Sequence, residues 1–419
     1  MKNKKPAKIL IVVESIDVEN SSGSKANVAL IRNLHNVGYE LKVYHYSRKE
    51  IQIGDIECIN IKERRRNLTF LISRIERYTR KYLGLNSNKY IENQFGFSFT
   101  LFNDRNSIIS ELRRDNFNAD LVLSLSQGGS FRPHHALLKM PEFHEKWIAY
   151  IHDPYPMHIF PPPYTYSEPG WEQKIKFVNK VFNTAKYIAF PSKLLLEWMH
   201  DHYNFDMEKA VVIPHQLNKS TNKPIDYPSF FQPSNFNLIH AGNLLWGRDP
   251  KGLIQGFQKF LKIYPEAKTH ARLIFIGGKN HYSDYLKKVS SITKEIEISQ
   301  DYMAFDQVNT LQKQAFVNII LEAKAEVSPF LPGKFPHCIH ANRPILLLGP
   351  SKSECRRLLG DDYFYWSEID DIEKVFLTIE SLYIKWKKND LCELNRTDLD
   401  YYLSKNHLSE ILDSIREKP

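Results

Sequence analysis

Two cationic loops carry the clearest chemistry in this sequence. In Ser328-Pro329-Phe330-Leu331-Pro332-Gly333-Lys334-Phe335-Pro336-His337, a turn rich in proline and glycine carries Lys334 into the start of a predicted helix. Backbone N–H groups at a helix N-terminus, the local dipole and one ammonium together form an anion site. In Gly242-Asn243-Leu244-Leu245-Trp246-Gly247-Arg248-Asp249-Pro250-Lys251-Gly252, the first glycine permits close backbone approach and Arg248 can fork onto two phosphate oxygens. Each loop alone also reads as a plain turn with a solvated cation. Both leave strands of one predicted domain, and the pair together favours a phosphate site.

His152-Asp153 is the third candidate, a pair at a strand end suited to general acid–base work, with a structural histidine as the alternative. His337-Cys338-Ile339-His340 sets two histidines about one helical turn apart. Three candidate ligands in four residues, with no distant fourth, make a poor zinc site, so no metal is expected there.

The elements that position these groups follow from apolar periodicity. Ile9–Val13 is a β-branched run of the kind that forms a central parallel strand. The polar stretch Glu19–Lys25, containing Gly23, reads as a loop, after which Val28, Ile31, Leu34 and His35 recur at helical spacing up to Gly38. Leu41–Tyr46 is the next strand. Asp120–Leu125 ends in Ser126-Gln127-Gly128-Gly129, and Trp147–Ile151 ends in His152-Asp153-Pro154. Tyr187–Phe190 and Ala210–Ile213 are further strands around a helix near Leu194–His202.

Asn218–Asn235, with Pro224, Pro228 and Pro233, reads as an interdomain linker. The alternation then restarts with strand Phe236–Ala241, helix Leu253–Tyr264, strand Arg272–Ile276 ending in Gly277-Gly278, and strands Val317–Leu321 and Pro344–Leu348. Ligands of open parallel sheets gather at the carboxyl ends of strands, where the candidate loops fall. The expected organisation is α/β, with one Rossmann-like domain over 1–217, a linker over 218–235 and a second Rossmann-like domain over 236–390. C-terminal helices over 391–419 are expected to pack back toward the first domain.

Length and composition agree with this division. The chain has 419 residues, more than one core usually supports, and its 42% hydrophobic and 25% charged residues are ordinary for globular domains. A formal net charge of +9 points to an anionic partner. Cys58, Cys338, Cys355 and Cys392 lack CxxC spacing and suggest neither a disulfide framework nor a zinc ribbon, which suits a reducing cytoplasm. The apolar run after the basic Met1–Lys8 stops at Glu14, too short for a signal peptide, and no run approaches the roughly 18 residues of a membrane span.

Lys62–Leu83 stands apart from both domains' alternation. Arg64, Arg65, Arg66, Arg74, Arg77, Arg80 and Lys81 are interleaved with Phe70, Leu71, Ile75, Tyr78 and Tyr82 at roughly helical spacing. Such a helix suits an anionic membrane surface on the inner face of the cytoplasmic membrane, and a solvated helix is the alternative. No recognisable nucleic-acid-binding module accompanies the basic residues, so nucleic acid is not an expected partner.

The order of these loops resembles a retaining GT-B glycosyltransferase of the family 4 type. The resemblance runs from the Gly23 loop through His152-Asp153, Val212-Ile213-Pro214, the Gly242–Gly252 loop, Phe275-Ile276-Gly277-Gly278 and Pro332-Gly333-Lys334 to Pro344. It implies a GT-B fold, two Rossmann-like domains whose parallel sheets face across a cleft, with the acceptor on the first domain and the nucleotide sugar on the second. It further implies metal-independent transfer, with retention, from a UDP- or GDP-linked sugar to a glycan or lipid-linked acceptor. The setting would be bacterial capsule or lipopolysaccharide synthesis, with no cofactor beyond the nucleotide-sugar co-substrate.

Carried over by position, the resemblance makes Arg248 and Lys334 partners of the donor diphosphate and adds Gly242, Gly277, Gly333, His337 and Lys251 to the nucleotide-sugar site. Lys251 ranks below Arg248 because Asn243 follows the first glycine and the arginine comes later. Gly23 would lie by the donor phosphate or acceptor. His152 would bond the donor sugar or leaving phosphate, and Asp153 the acceptor hydroxyl. The family usually has two glutamates where this chain has Pro329 and His337. A histidine lacks the fixed charge and bidentate geometry of a carboxylate. That departure keeps open a nucleotide-sugar epimerase or hydrolase, or a binding protein without turnover. Asp398-Leu399-Asp400, reminiscent of a metal-binding Asp-x-Asp, falls after both sheets and reads as a solvated helix start.

Overall fold

The β-branched runs form parallel strands buried on both faces. A computed structural model describes residues 7–19, 21–83, 87–217, 226–299, 303–390 and 392–417. Of the stretches singled out in the sequence, most of Met1–Lys8 and the 218–225 part of the linker lie outside the described residues. The chain divides into two units, one formed by Met1–Phe160, Tyr164–Gln216 and Ser404–Pro419, the other by Pro161–Pro163 and Leu217–Leu403.

The first unit is built on β1 (Lys8–Val13), β2 (Glu40–His45), β3 (Glu57–Asn60), β4 (Leu121–Leu125), β5 (Trp147–Tyr150), β6 (Tyr187–Phe190) and β7 (Ala210–Val212). Their order is β3-β2-β1-β4-β5-β6-β7 and every pairing is parallel. Alternate residues of β1 feed opposite cores. Ile9, Ile11 and Val13 join the layer of Val28, Ile31 and Leu34, whereas Leu10 and Val12 join that of Phe131 and Phe182. Val13 pairs with both His45 and Leu125, and Leu125 with Tyr150, so Glu14, Tyr46, Ser126 and His152 share one edge of the sheet.

The second unit repeats the arrangement. It comprises β8 (Phe236–Ala241), β9 (Ala271–Ile276), β10 (Ile296–Ile298), β11 (Val317–Leu321), β12 (Val327–Ser328), β13 (Ile345–Leu348), β14 (Lys352–Ser353) and β15 (Trp366–Ser367). The main sheet runs β10-β9-β8-β11-β13-β15, all parallel, and β12 pairs with β14 separately. Strand order reverses at β8 beside β11. There the carboxyl ends release Gly242 and Glu322, and Gly277 follows the neighbouring β9.

The ends of the chain divide between the units. Leu399 and Leu403, around the helix Thr397–Tyr402, bury with Cys355, Leu358 and Leu359 in the second unit. Leu408, Leu412 and Ile415 of the helix Lys405–Glu417 bury with Ile9, Val28 and Leu34 in the first, and Tyr187 Oη donates to the Ile415 carbonyl at 2.9 Å. In the Asn218–Asn235 stretch, Phe231 is fully buried against Ile239 and Ile274, so this part of the proline-rich segment belongs to the second core. Among the described residues, no helix is long and apolar enough to cross a membrane.

Candidate functional site

In the second unit, the two cationic loops meet at the switch point. Gly242 leaves β8 with φ +130°, its N–H bonded to the Ile276 carbonyl at 2.7 Å. A Cβ on Gly242 would lie 3.5 Å from Lys334 Nζ, and one on Gly277 would lie 2.7 Å from the Gly242 carbonyl oxygen. Glycine at 277 therefore lets the β8 and β9 loops approach each other, and glycine at 242 suits the positive φ of the turn that faces Lys334.

Lys334 Nζ reaches across to His240 Nε2 at 2.9 Å. His240 is buried in β8, and burial, with Lys334 and Arg248 adding to it, holds its imidazole neutral. Burial also pushes the Lys334 ammonium down to about 7, Arg248 adding to the depression while Cys338 opposes it. Burial pushes Glu322, directly after β11, up to about 7, although the hydroxyls of Ser328 and Ser353 and the charge of Arg248 oppose the rise. Ser328 Oγ donates to its Oε1 at 2.7 Å. Arg248 thus acts electrostatically on His240, Glu322 and Lys334 alike. The arrangement places two cations beside a neutral imidazole and a carboxyl that ionises only near neutrality, a setting short of anionic charge.

The helix Phe335–His340 contributes less than a helix N-terminus ordinarily would. It has six residues, Phe335 N–H is bonded to the Pro332 carbonyl, Pro336 has no N–H, and His337 N–H returns to the Lys334 carbonyl. The side-chain cations, more than helix amides, are what this site offers an anion. Gly333 is exposed, with no atom within 4 Å of where a Cβ would stand. His337 is buried edge-on against Phe305, ring centroids 4.9 Å apart. Lys251 opens the helix Lys251–Ile263 and is engaged with Asp249 at 3.3 Å and the Tyr285 ring at 5.8 Å. Asp398 pairs with Arg396 at 2.7 Å at a helix start.

In the first unit, His152 sits at the carboxyl end of β5, with half-buried Asp153 after it. Its Nε2 donates to Asn27 Oδ1 at 2.8 Å, its N–H to Ser126 Oγ at 3.3 Å, and its ring lies near-parallel to His215 at 5.6 Å. Burial, then His215 and His134, keeps its pKa well below the ordinary value. A neutral ring donating through Nε2 leaves Nδ1 as an acceptor. Gly23 is not a loop residue. It lies in the first turn of the helix Ser22–Asn36, capped by Ser21 Oγ, and a Cβ there would stand 3.2 Å from Gln127 Cγ. Gln127 donates to Ser21 Oγ at 2.7 Å and accepts from Ser24 Oγ at 3.1 Å, so Gly23 makes room for this tie between helix and β4 loop.

The basic segment is helical only from Leu68. Arg64, Arg65 and Arg66 precede the helix and are exposed, Arg77 lies within it, and Arg74 is committed to Glu63 at 2.9 Å. The side chain of Arg80 lies outside the described residues.

No family model and no curated protein sequence matches the chain. Solved structures do. A glycosyltransferase from Rickettsia africae aligns over 99% of this chain and 100% of its own, with TM-score 0.62 and 12% identity. A UDP-forming α,α-trehalose-phosphate synthase from Burkholderia xenovorans, in complex with glucose-6-phosphate, aligns over 98% and 100%, with TM-score 0.64 and 9% identity. WaaG, a glycosyltransferase of lipopolysaccharide biosynthesis, aligns over 97% and 99%, with TM-score 0.57 and 12% identity. The fold is GT-B.

Three members of the strand-end clusters in this GT-B chain escape a reading by motif. His240 lies inside an apolar strand and Glu322 directly after one, so the only signal was a polar residue abutting a run such as Val317–Leu321. Arg132 bridges the first unit's edge, bonding Glu14 closely and Asp104 at 2.7 Å, while Tyr46 Oη donates to Asp104 at 2.7 Å. Burial would depress the Arg132 guanidinium, but Glu14 and Asp104 together hold its pKa above the ordinary value. The Glu14 that merely ended an apolar run in the sequence is the partner of that arginine.

Proposed function

We propose that this chain transfers a glycosyl group from a UDP- or GDP-linked donor to a glycan or lipid-linked acceptor, with retention of anomeric configuration and without a metal. The observation that carries the reading is the convergence of Lys334, His240 and Gly242 at the β8 switch point, with Arg248 acting on the same groups. A departing nucleoside diphosphate needs its developing charge met, and preformed cations do this without reorganisation during the reaction. On this reading Lys334 and Arg248 hold the two phosphates and Gly277 keeps the β9 loop close. Glu322 supplies a carboxyl in the region where Pro329 and His337 stand in place of glutamates. His152 holds the donor sugar or leaving phosphate through its acceptor nitrogen, and Asp153 orients the attacking hydroxyl.

Similar structures support the reaction class: one is a UDP-forming synthase bound to a sugar phosphate, another acts in lipopolysaccharide biosynthesis. We place the activity in the cytoplasm, in bacterial surface polysaccharide or glycoconjugate synthesis. Purified protein incubated with labelled UDP- and GDP-sugars, with and without glycan acceptors and with chelator, tests it. Acceptor-dependent release of nucleotide that survives chelator is the expected outcome. Turnover that never needs an acceptor would point to a hydrolase or epimerase, and absence of nucleotide binding to a non-catalytic protein.

A further inference from the structure

The helix Leu68–Leu83 wears its apolar face outward. Leu68, Leu71, Ile75, Tyr78 and Tyr82 recur at steps of three and four, which sets them in one stripe about 21 Å long. Each is more than half exposed, whereas the residues this helix buries include Ser73 and Glu76. A helix on a globular surface ordinarily places these the other way round.

The orientation is held by polar contacts. Asn67 Oδ1 accepts the Phe70 N–H at 2.8 Å and Asn67 Nδ2 donates to Asn103 Oδ1 at 3.0 Å. Asn103 Nδ2 donates to the Arg64 carbonyl at 3.2 Å, and the Arg64 N–H donates to Ser107 Oγ at 3.0 Å. Arg74 bonds Glu63 and lies 4.5 Å over the Phe70 ring, which braces the first turns from the side. These bonds fix the polar side of the helix to the segment around Phe99–Leu112 and leave the stripe facing out.

The charge around the stripe is of one sign. Arg64, Arg65 and Arg66 are exposed directly before the helix and Lys81 is exposed near its end, while nearby Glu63 is taken up by Arg74 at 2.9 Å, with Arg65 more distant at 3.9 Å, and Glu76 is buried. Tyr78 and Tyr82, ring centroids 4.6 Å apart, present apolar rings tipped with hydroxyls, the form that sits at a boundary between apolar and wet surroundings. A second copy of this chain would bring the same arginines against one another, whereas acidic lipid headgroups complement them. We infer that the stripe docks on an anionic bilayer, with Leu71, Ile75, Tyr78 and Tyr82 entering the headgroup boundary and Arg64, Arg65 and Arg66 engaging the lipid charge.

Co-sedimentation with phosphatidylcholine vesicles, with and without phosphatidylglycerol, tests this without reference to turnover. The full chain should bind the mixed vesicles, bind pure phosphatidylcholine far more weakly, and lose affinity as salt is raised. Arg65→Gln with Arg66→Gln should lower partitioning roughly 30-fold. Ile75→Glu with Tyr78→Glu should lower it by at least as much at low and high salt alike. Both pairs should keep the wild-type thermal melt and nucleotide affinity, because the altered side chains are exposed and lie outside the second unit. Equal binding to both vesicle types, or undiminished binding by the Ile75/Tyr78 variant, would overturn the inference. So would a dimer seen by light scattering without vesicles that this variant dissolves, since the stripe would then be a contact between copies.

Discussion

Lys334 Nζ donates to His240 Nε2 at 2.9 Å, an ammonium against a neutral imidazole rather than an ion pair. That bond gives the lysine no counter-charge, and burial brings its pKa down to about 7. An arriving diphosphate would supply the counter-charge and raise that pKa. Affinity for a nucleoside diphosphate should then fall as pH rises from 7 toward 9, by at most about tenfold per unit, because a neutral lysine must first take up a proton. Calorimetry at pH 8 in buffers of different ionisation heat should register proton uptake, and Lys334→Met should abolish it. Uptake that survives in this variant would remove Lys334 from the binding site.

The two loop cations after Gly242 are not equivalent. Arg248 acts electrostatically on the Lys334 group, while Lys251 is engaged with Asp249 and Tyr285. Arg248→Ala should weaken nucleotide binding by about 1.5–3 kcal/mol, the range for a hydrogen bond to a charged group. Lys251→Ala should cost less than about 1 kcal/mol, as for an exposed ion pair. Titration of both variants with UDP and GDP measures the difference, and equal losses would contradict the assignment.

The division between what the sequence disclosed and what it withheld has a physical basis. Ile9–Val13, Leu41–Tyr46 and Val317–Leu321 were legible because strands buried on both faces read as apolar runs, continuous in the first and broken only by Lys42 and His45 in the second and Asn318 in the third. The edge strands Glu57–Asn60, Ile296–Ile298 and Trp366–Ser367 were not, being short and in part polar. Lys334 announced itself through Pro332 and Gly333. Its partner His240 lies 94 residues earlier inside a strand, where no local pattern marks it. Phe231 was hidden because one anchoring aromatic among prolines has no period to detect. Gly23 read as a loop because a polar first turn capped by Ser21 looks, in sequence, like the turn before it.

Glu322 should make stability depend on pH in a direction unusual for a carboxyl. Its pKa is raised from 4.5 to about 7, so between those values the folded chain keeps a proton that the unfolded chain has lost. Stability from this group is present below pH 4.5 and declines as pH rises through 7, by an amount on the order of 3 kcal/mol. Glu322→Gln should keep the fold and flatten that part of the profile. Glu322→Ala strands Ser328 Oγ and should cost about 1–3 kcal/mol below pH 4.5, a cost that shrinks as pH rises through 7 because the variant has no carboxyl to ionise. Urea denaturation from pH 4 to 8 compares them, and a Glu322→Gln profile parallel to wild type would sink the argument.

Two glycines near the same loops should respond oppositely to one methyl group. At Gly277 a Cβ would stand 2.7 Å from the Gly242 carbonyl oxygen and 3.1 Å from its carbon, and backbone there can yield only by moving the β8 loop. Gly277→Ala should therefore cost about 1–3 kcal/mol and weaken nucleotide binding as Gly242 is displaced from Lys334. At Gly333 nothing stands within 4 Å and the backbone is not left-handed, so Gly333→Ala should leave the melting temperature unchanged. If a diphosphate lies against that turn, the added methyl will meet the ligand instead, and affinity will fall with stability intact. Thermal melts beside nucleotide titrations of both variants separate the cases: a melt lowered equally by the two would show that steric crowding at Gly277 is not what fixes the loop.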